Sequence, residues 1–130
     1  MTDCRLSINS EGKGWRSDVS ERAKIEIDQD CARIEYTLDG DYCVLSLSPD
    51  FIEQTRRGET DISMSFRHND KTLCIIGDNA LRGGFEIFCT KLKCTLGAKG
   101  VDAHIEYLSG EDREKVSVRI RALVLKDNLF

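Results

Sequence analysis

Apolar and polar residues alternate along most of this chain with a period of two, the spacing of a strand that buries one face. Cys4, Leu6 and Ile8 alternate with Arg5 and Ser7, and Ala23, Ile25 and Ile27 with Lys24, Glu26 and Asp28. Ala32, Ile34, Tyr36 and Leu38 alternate with Arg33, Glu35 and Thr37. Asp39-Gly40 predicts a tight hairpin, because a primed turn needs a positive φ that glycine accepts; residues 42–47 return as its partner strand. Ile62, Met64 and Phe66 share a face, His68-Asn69-Asp70 is turn material, and the apolar run 73–76 follows. Val101, Ala103, Ile105 and Tyr107 predict one late strand, and Val116, Val118, Ile120, Ala122 and Val124 the last, joined by a turn at Ser109-Gly110-Glu111. Residues 9–18 read as a polar, glycine-containing loop.

Two places break the rhythm. Phe85, Ile87 and Cys89 occupy odd positions whereas Leu92, Cys94 and Leu96 occupy even ones. A continuous strand cannot change phase and keep its core face buried, so a β-bulge or corner is predicted near Thr90-Lys91. The second place is Ser48-Pro49-Asp50 and the residues up to Gly58. Serine before proline, an early acid, late arginines and a closing glycine follow the local rules for a short helix. The same residues running into 60–66 also make a hairpin, and both readings stay open here.

Eight to ten short strands with frequent turn signals predict an all-β fold: one antiparallel domain over residues 1–130, a sandwich or an up-and-down barrel. Closure into a barrel removes the edges on which so many apolar strands would otherwise aggregate. The single proline suits long, uninterrupted strands. At 130 residues, folding alone buries roughly two-thirds of the chain's surface, so neither metal nor disulfide staples are required.

Met1-Thr-Asp-Cys-Arg lacks the basic and apolar runs of a secretory leader, and no window approaches the roughly 18 apolar residues of a membrane span. The expectation is a cytoplasmic protein with no membrane partner. In a reducing compartment the six cysteines, Cys4, Cys31, Cys43, Cys74, Cys89 and Cys94, are expected to be thiols. Most sit in phase with aliphatic neighbours and read as small core residues. Their spacing, and the isolation of His68 and His104, predict no metal site. A net charge of −4 with interleaved signs excludes general nucleic-acid binding. Lys91, Lys93, Arg119 and Arg121 would form a local basic stripe if their strands paired, but Glu86, Asp102 and Glu106 on comparable faces favour a mixed surface.

Ile34-Glu-Tyr36 with Asp39-Gly40, Arg57-Gly58, Ile62-Ser-Met64-Ser-Phe66, residues 85–90 and Ile105-Glu-Tyr107, in that order, resemble the YwiB-like family of bacterial proteins. The match runs from about Ala23 onward and rests on order and spacing. It departs from the family at Ala80-Leu81-Arg82-Gly83, which lacks the Thr-Pro-Tyr-Gly character of the corresponding family loop. The resemblance implies a calycin-like β-barrel, related in shape to lipocalins, and carries no known activity with it.

No nucleophile elbow, P-loop, dinucleotide fingerprint or metalloprotease helix is present, so no catalytic residue and no cofactor is assigned and the chain reads as a non-enzyme. His104, beside Asp102 and Glu106, reads as a surface histidine rather than a general base. Tyr36, Met64, Phe66 and Tyr107 should point inward, and the hydroxyls of buried tyrosines need partners. These four, with Arg57 at a hairpin tip, are the candidate ligand-binding residues. Two readings from different classes follow. One is a barrel that binds a small molecule in its interior or mouth. The other is a packed-core interaction or scaffold module working through an exposed apolar outer face near Phe88 and Leu123. Phe88, Leu123, Leu125, Leu129 and Phe130 would serve a homodimer.

Overall fold

The computed structural model describes residues 1–78 and 81–125. Ten strands follow one another: β1 (Thr2–Gly12), β2 (Trp15–Ile27), β3 (Ala32–Leu38), β4 (Asp41–Leu47), β5 (Ile52–Arg57), β6 (Asp61–Phe66), β7 (Lys71–Gly77), β8 (Arg82–Gly97), β9 (Gly100–Ser109) and β10 (Glu114–Val124). Each pairs antiparallel with the next, and β10 closes on β1. The result is a closed up-and-down barrel, within the eight to ten strands expected from the alternation. Among the described residues no helix is long and apolar enough to cross a membrane.

The period-two faces become the inside and outside of the wall. Leu6, Ile34 and Leu45 are completely buried, and Cys4, Cys43, Cys74 and Cys89 join the aliphatic core as small apolar fillers. Cys31, in the connection between β2 and β3, is exposed instead. The β3–β4 turn places Asp39 at φ 51° and Gly40 at φ 85°, the two positive values of a primed hairpin. At the expected phase switch the pairing of β8 with β9 shifts between Cys89 and Lys91. This bulge lets Ile87 and Cys89 on one side, and Leu92 and Cys94 on the other, all face inward.

One expectation is corrected, and two readings left open are decided. Residues 9–18 are not a loop: β1 and β2 pair as far as Gly12 and Trp15 around a turn at Lys13-Gly14, where glycine adopts φ 78°. The inward phase of Cys4, Leu6 and Ile8 therefore continues through polar residues. Residues 52–57 are a strand, not a helix. Ser48 makes a turn rather than a helix cap, its amide donating to the Phe51 carbonyl at 2.9 Å while the Phe51 amide donates back to Ser48 Oγ at 3.1 Å. The basic stripe does not form, because β9 separates β8 from β10. Asp102 on β9 instead holds Arg119 at 3.0 Å and Arg121 at 3.8 Å.

The outer apolar face is also not where the alternation put it. Phe88 is half-buried and lies opposite Lys71 and Leu108, whereas exposed Leu123 lies opposite Arg5 and Gly100, so the two share no patch. Leu73 and Ile75 on the outer side of β7 are exposed instead. Leu129 and Phe130, like Ala80 of the departing loop, lie outside the described residues.

Candidate functional site

Five of the connections between consecutive strands lie at one end of the barrel and four, with the two termini, at the other, and the two ends differ in how side chains fill them. Towards the end carrying the β2–β3 and β8–β9 turns, Cys4, Leu6, Ile25, Ile34, Leu47, Val101 and Ala122 are buried and pack into one layer. Above that layer the interior opens into a chamber of about 280 Å³. Its walls are aliphatic and aromatic: Ile8 and Val19, Leu38 and Leu45, Ile52, Met64 and Phe66, Ile105, Val118 and Ile120. Ser10, Ser17, Trp15, Gln54 and the two tyrosines Tyr36 and Tyr107 supply its polar groups.

Strands remote in sequence bring these groups together. Phe66 on β6 and Tyr107 on β9 meet with ring centroids 5.3 Å apart at an interplanar angle of 43°, a tilted aromatic pair. The Tyr36 phenol lies beside Cys43, its cross-strand neighbour on β4, and Gln54 on β5. Burial holds its proton on well above the ordinary phenol range, with the neighbouring Cys43 adding to the effect. Burial likewise pushes Tyr107 up to about 12. Both phenols therefore stay protonated at physiological pH and offer neutral hydroxyls to the chamber.

Trp15, the single tryptophan, is partly exposed where β1 turns into β2, and its indole lies against Gly12 so closely that any Cβ there would collide with the ring. A glycine at this point is what lets the indole lie over the chamber. Nearby, the β4–β5 side of the same end is shut by an ion pair. Buried Asp41 accepts from Arg56 Nε at 2.7 Å and from the backbone amides of Glu59 and Thr60 at 2.9 and 3.3 Å. Gly58 passes so near the Asp41 carboxylate that a side chain would strike it, which accounts for the glycine of the Arg57-Gly58 pair.

The Arg56 guanidinium, followed by the Glu59 amide, holds the Asp41 carboxyl below its ordinary range. A depressed native pKa stabilises the fold above the unfolded pKa, and that contribution disappears as pH falls through the native value. Asp41→Asn should therefore be less stable than the parent at neutral pH, with the difference shrinking as pH falls below the ordinary carboxylate range. Urea unfolding at neutral pH and below that range reads the change; a difference independent of pH would refute the assignment.

Tyr36, Met64, Phe66 and Tyr107 thus converge on one chamber, and Arg57 does not. Its guanidinium lies outside, donating to the carbonyls of Arg56 and Ile62 at 2.9 and 3.1 Å. One residue earlier, Arg56 occupies the inward phase. Trp15, Gln54 and the Asp41–Arg56 pair were not anticipated from the sequence. The signal for Gln54 and Arg56 was present in the phase of Ile52, and that for Trp15 in the phase of Ala23 and Val19, but polar residues in apolar phase do not declare themselves. His104 stands apart on the outer wall, its Nε2 3.0 Å from Ser117 Oγ and 3.9 Å from Glu106 Oε1. Both contacts use the same nitrogen, so no relay from acid through histidine to hydroxyl is built.

Comparison with protein families gives no match, and none of the curated proteins matches either. Among solved structures the chain is similar to the ywiB protein from Bacillus subtilis, with a TM-score of 0.79 at 14% sequence identity, over 96% of this chain and 93% of that one. Such a likeness establishes a shared barrel fold.

Proposed function

We propose that this barrel is a cytoplasmic binding protein of the YwiB-like, calycin-type group, and that it holds a small, neutral, largely apolar molecule in its interior. The chamber is the observation that carries the reading. Small-molecule sites are concave and mostly apolar, with a few placed polar groups. Here the walls are hydrocarbon, and the Tyr36, Gln54 and Tyr107 groups supply the polar contacts. The lining contains no charged side chain, which favours a neutral ligand over an ion because an unpaired charge would be costly there. At about 280 Å³ the space is nearly twice the roughly 150 Å³ cavity that accepts one benzene ring, so a two-ring molecule with one hydroxyl or amine is the fitting size. Charged side chains such as Arg5, Lys24, Glu26 and Arg33 on the outer wall are the reverse of a lipid-facing barrel and support a water-surrounded one.

A second reading, protein interaction or homodimer formation, draws on exposed Leu73 and Ile75. Its packed-core form requires a filled interior, and the chamber favours the first. The test is titration with 2-naphthol, followed by its own fluorescence, alongside native mass spectrometry of freshly purified protein. The expected result is one naphthol per barrel, at micromolar to submillimolar concentration. Absence of saturable binding, together with no retained small molecule in the mass spectrum, would overturn the proposal.

A further inference from the structure

The barrel wall has an unsealed seam. β2 and β3 are laddered only from Lys24 opposite Glu35 to Ile27 opposite Ala32. Beyond that point β2 remains paired with β1 as far as Trp15, and β3 with β4 as far as Leu38. Glu21–Ala23 and Tyr36–Leu38, which the continued register would set opposite one another, therefore face each other without a ladder, while Trp15–Ser20 run on past the end of β3. The β6–β7 seam is also short, from Asp61 opposite Gly77 to Ser63 opposite Ile75. There, however, Thr72 Oγ1 donates to the Ser65 carbonyl at 2.5 Å and fastens the remainder.

A cavity lies on each side of the open seam. Outside is a groove of about 430 Å³ bounded by Arg22, Ala23, Thr37 and Tyr42. Inside, the chamber is bounded on its β2 side by Ser17 and Val19 and on its β3 side by Leu38. Tyr36 lines both. We propose that the chamber is loaded sideways through this β2–β3 seam, with the outer groove as antechamber and the Tyr36 ring as the threshold between them. The inference rests on the small-molecule reading above. A buried apolar layer fills one end of the barrel, and at the other the Asp41–Arg56 pair with its backbone partners closes the β4–β5 side. Separating two strand segments that share no ladder hydrogen bonds requires breaking fewer interactions than opening any fully paired seam.

A portal touches the ligand only in transit, so closing it slows arrival and departure alike and leaves the equilibrium unchanged. Continuing the β2–β3 register sets Arg22 opposite Thr37, both on the outer face. The test is Arg22→Cys/Thr37→Cys in a Cys31→Ser background, with 2-naphthol exchange rates measured by NMR line shape in the oxidised and reduced forms. Oxidation should slow both rates roughly ten-fold or more while the dissociation constant stays within about two-fold, and dithiothreitol should restore both. Binding with unaltered rates in the oxidised form would overturn the portal and leave the chamber reading intact; absence of binding in the parent would overturn both. Hydrogen exchange decides independently of ligand and of whether the thiols join. Glu21–Ala23 and Tyr36–Leu38 should exchange faster than Lys24–Ile27 and residues 32–35, and equal protection would remove the seam.

Discussion

Replacing Ile34 by alanine should lower the stability of this barrel by about 2–5 kcal/mol, a large share of the roughly 5–15 kcal/mol that holds a domain of this kind together. Ile34 is completely buried, lies between Ile25 on β2 and Leu45 on β4, and belongs to the packed layer beneath the chamber. Truncation removes apolar burial and leaves a void that a closed wall cannot collapse to fill, because each strand is held from both sides. Urea unfolding should show a lower midpoint with an unchanged slope. Leu73→Ala is the control: Leu73 is 55% exposed on the outer side of β7, and its loss should stay within about 0.5 kcal/mol. Equal losses at the two sites would mean that inside and outside have been exchanged.

Val118→Phe should abolish naphthol binding and cost little or no stability. Val118 is half-buried on β10 and lines the chamber. In a solidly packed core, inserting a phenyl ring forces strained rotamers and costs about 1–3 kcal/mol. In a hollow interior the same ring enters existing space and buries itself. Thermal melting and naphthol titration on one sample therefore separate a ligand chamber from a packed scaffold. A drop in stability comparable to Ile34→Ala, with binding retained, would rule out the hollow interior.

Much of the fold was legible before any coordinates, because a strand with one buried face writes its orientation into every second residue. The series ending at Cys89 and the series beginning at Leu92 could not share one face without an extra residue between them, and the bulge lies at that point. Where apolar side chains give way to polar ones the same logic falls silent. Ser10, Gly12, Trp15 and Ser17 continue the inward phase of β1 and β2, yet their polarity and two intervening turn residues made the stretch resemble a loop. Ser48-Pro49-Asp50 met the local rules for a helix start, and pairing of β5 with both β4 and β6 overrode them.

The candidate site divides in the same way. Alternation sufficed to send Tyr36, Met64, Phe66 and Tyr107 inward, since parity is a local property of a strand. It could not distinguish Arg56 from Arg57 at the end of β5, where a one-residue difference decides between an ion pair with Asp41 and the outer wall. The sequence by itself determined most of the strands, their phase and the bulge at Thr90, all of which follow from neighbours a few residues apart. Only the tertiary structure decided that the interior is hollow and that β2 and β3 part above Lys24, because a void and a seam depend on how side chains and strands distant along the chain fill the space between them.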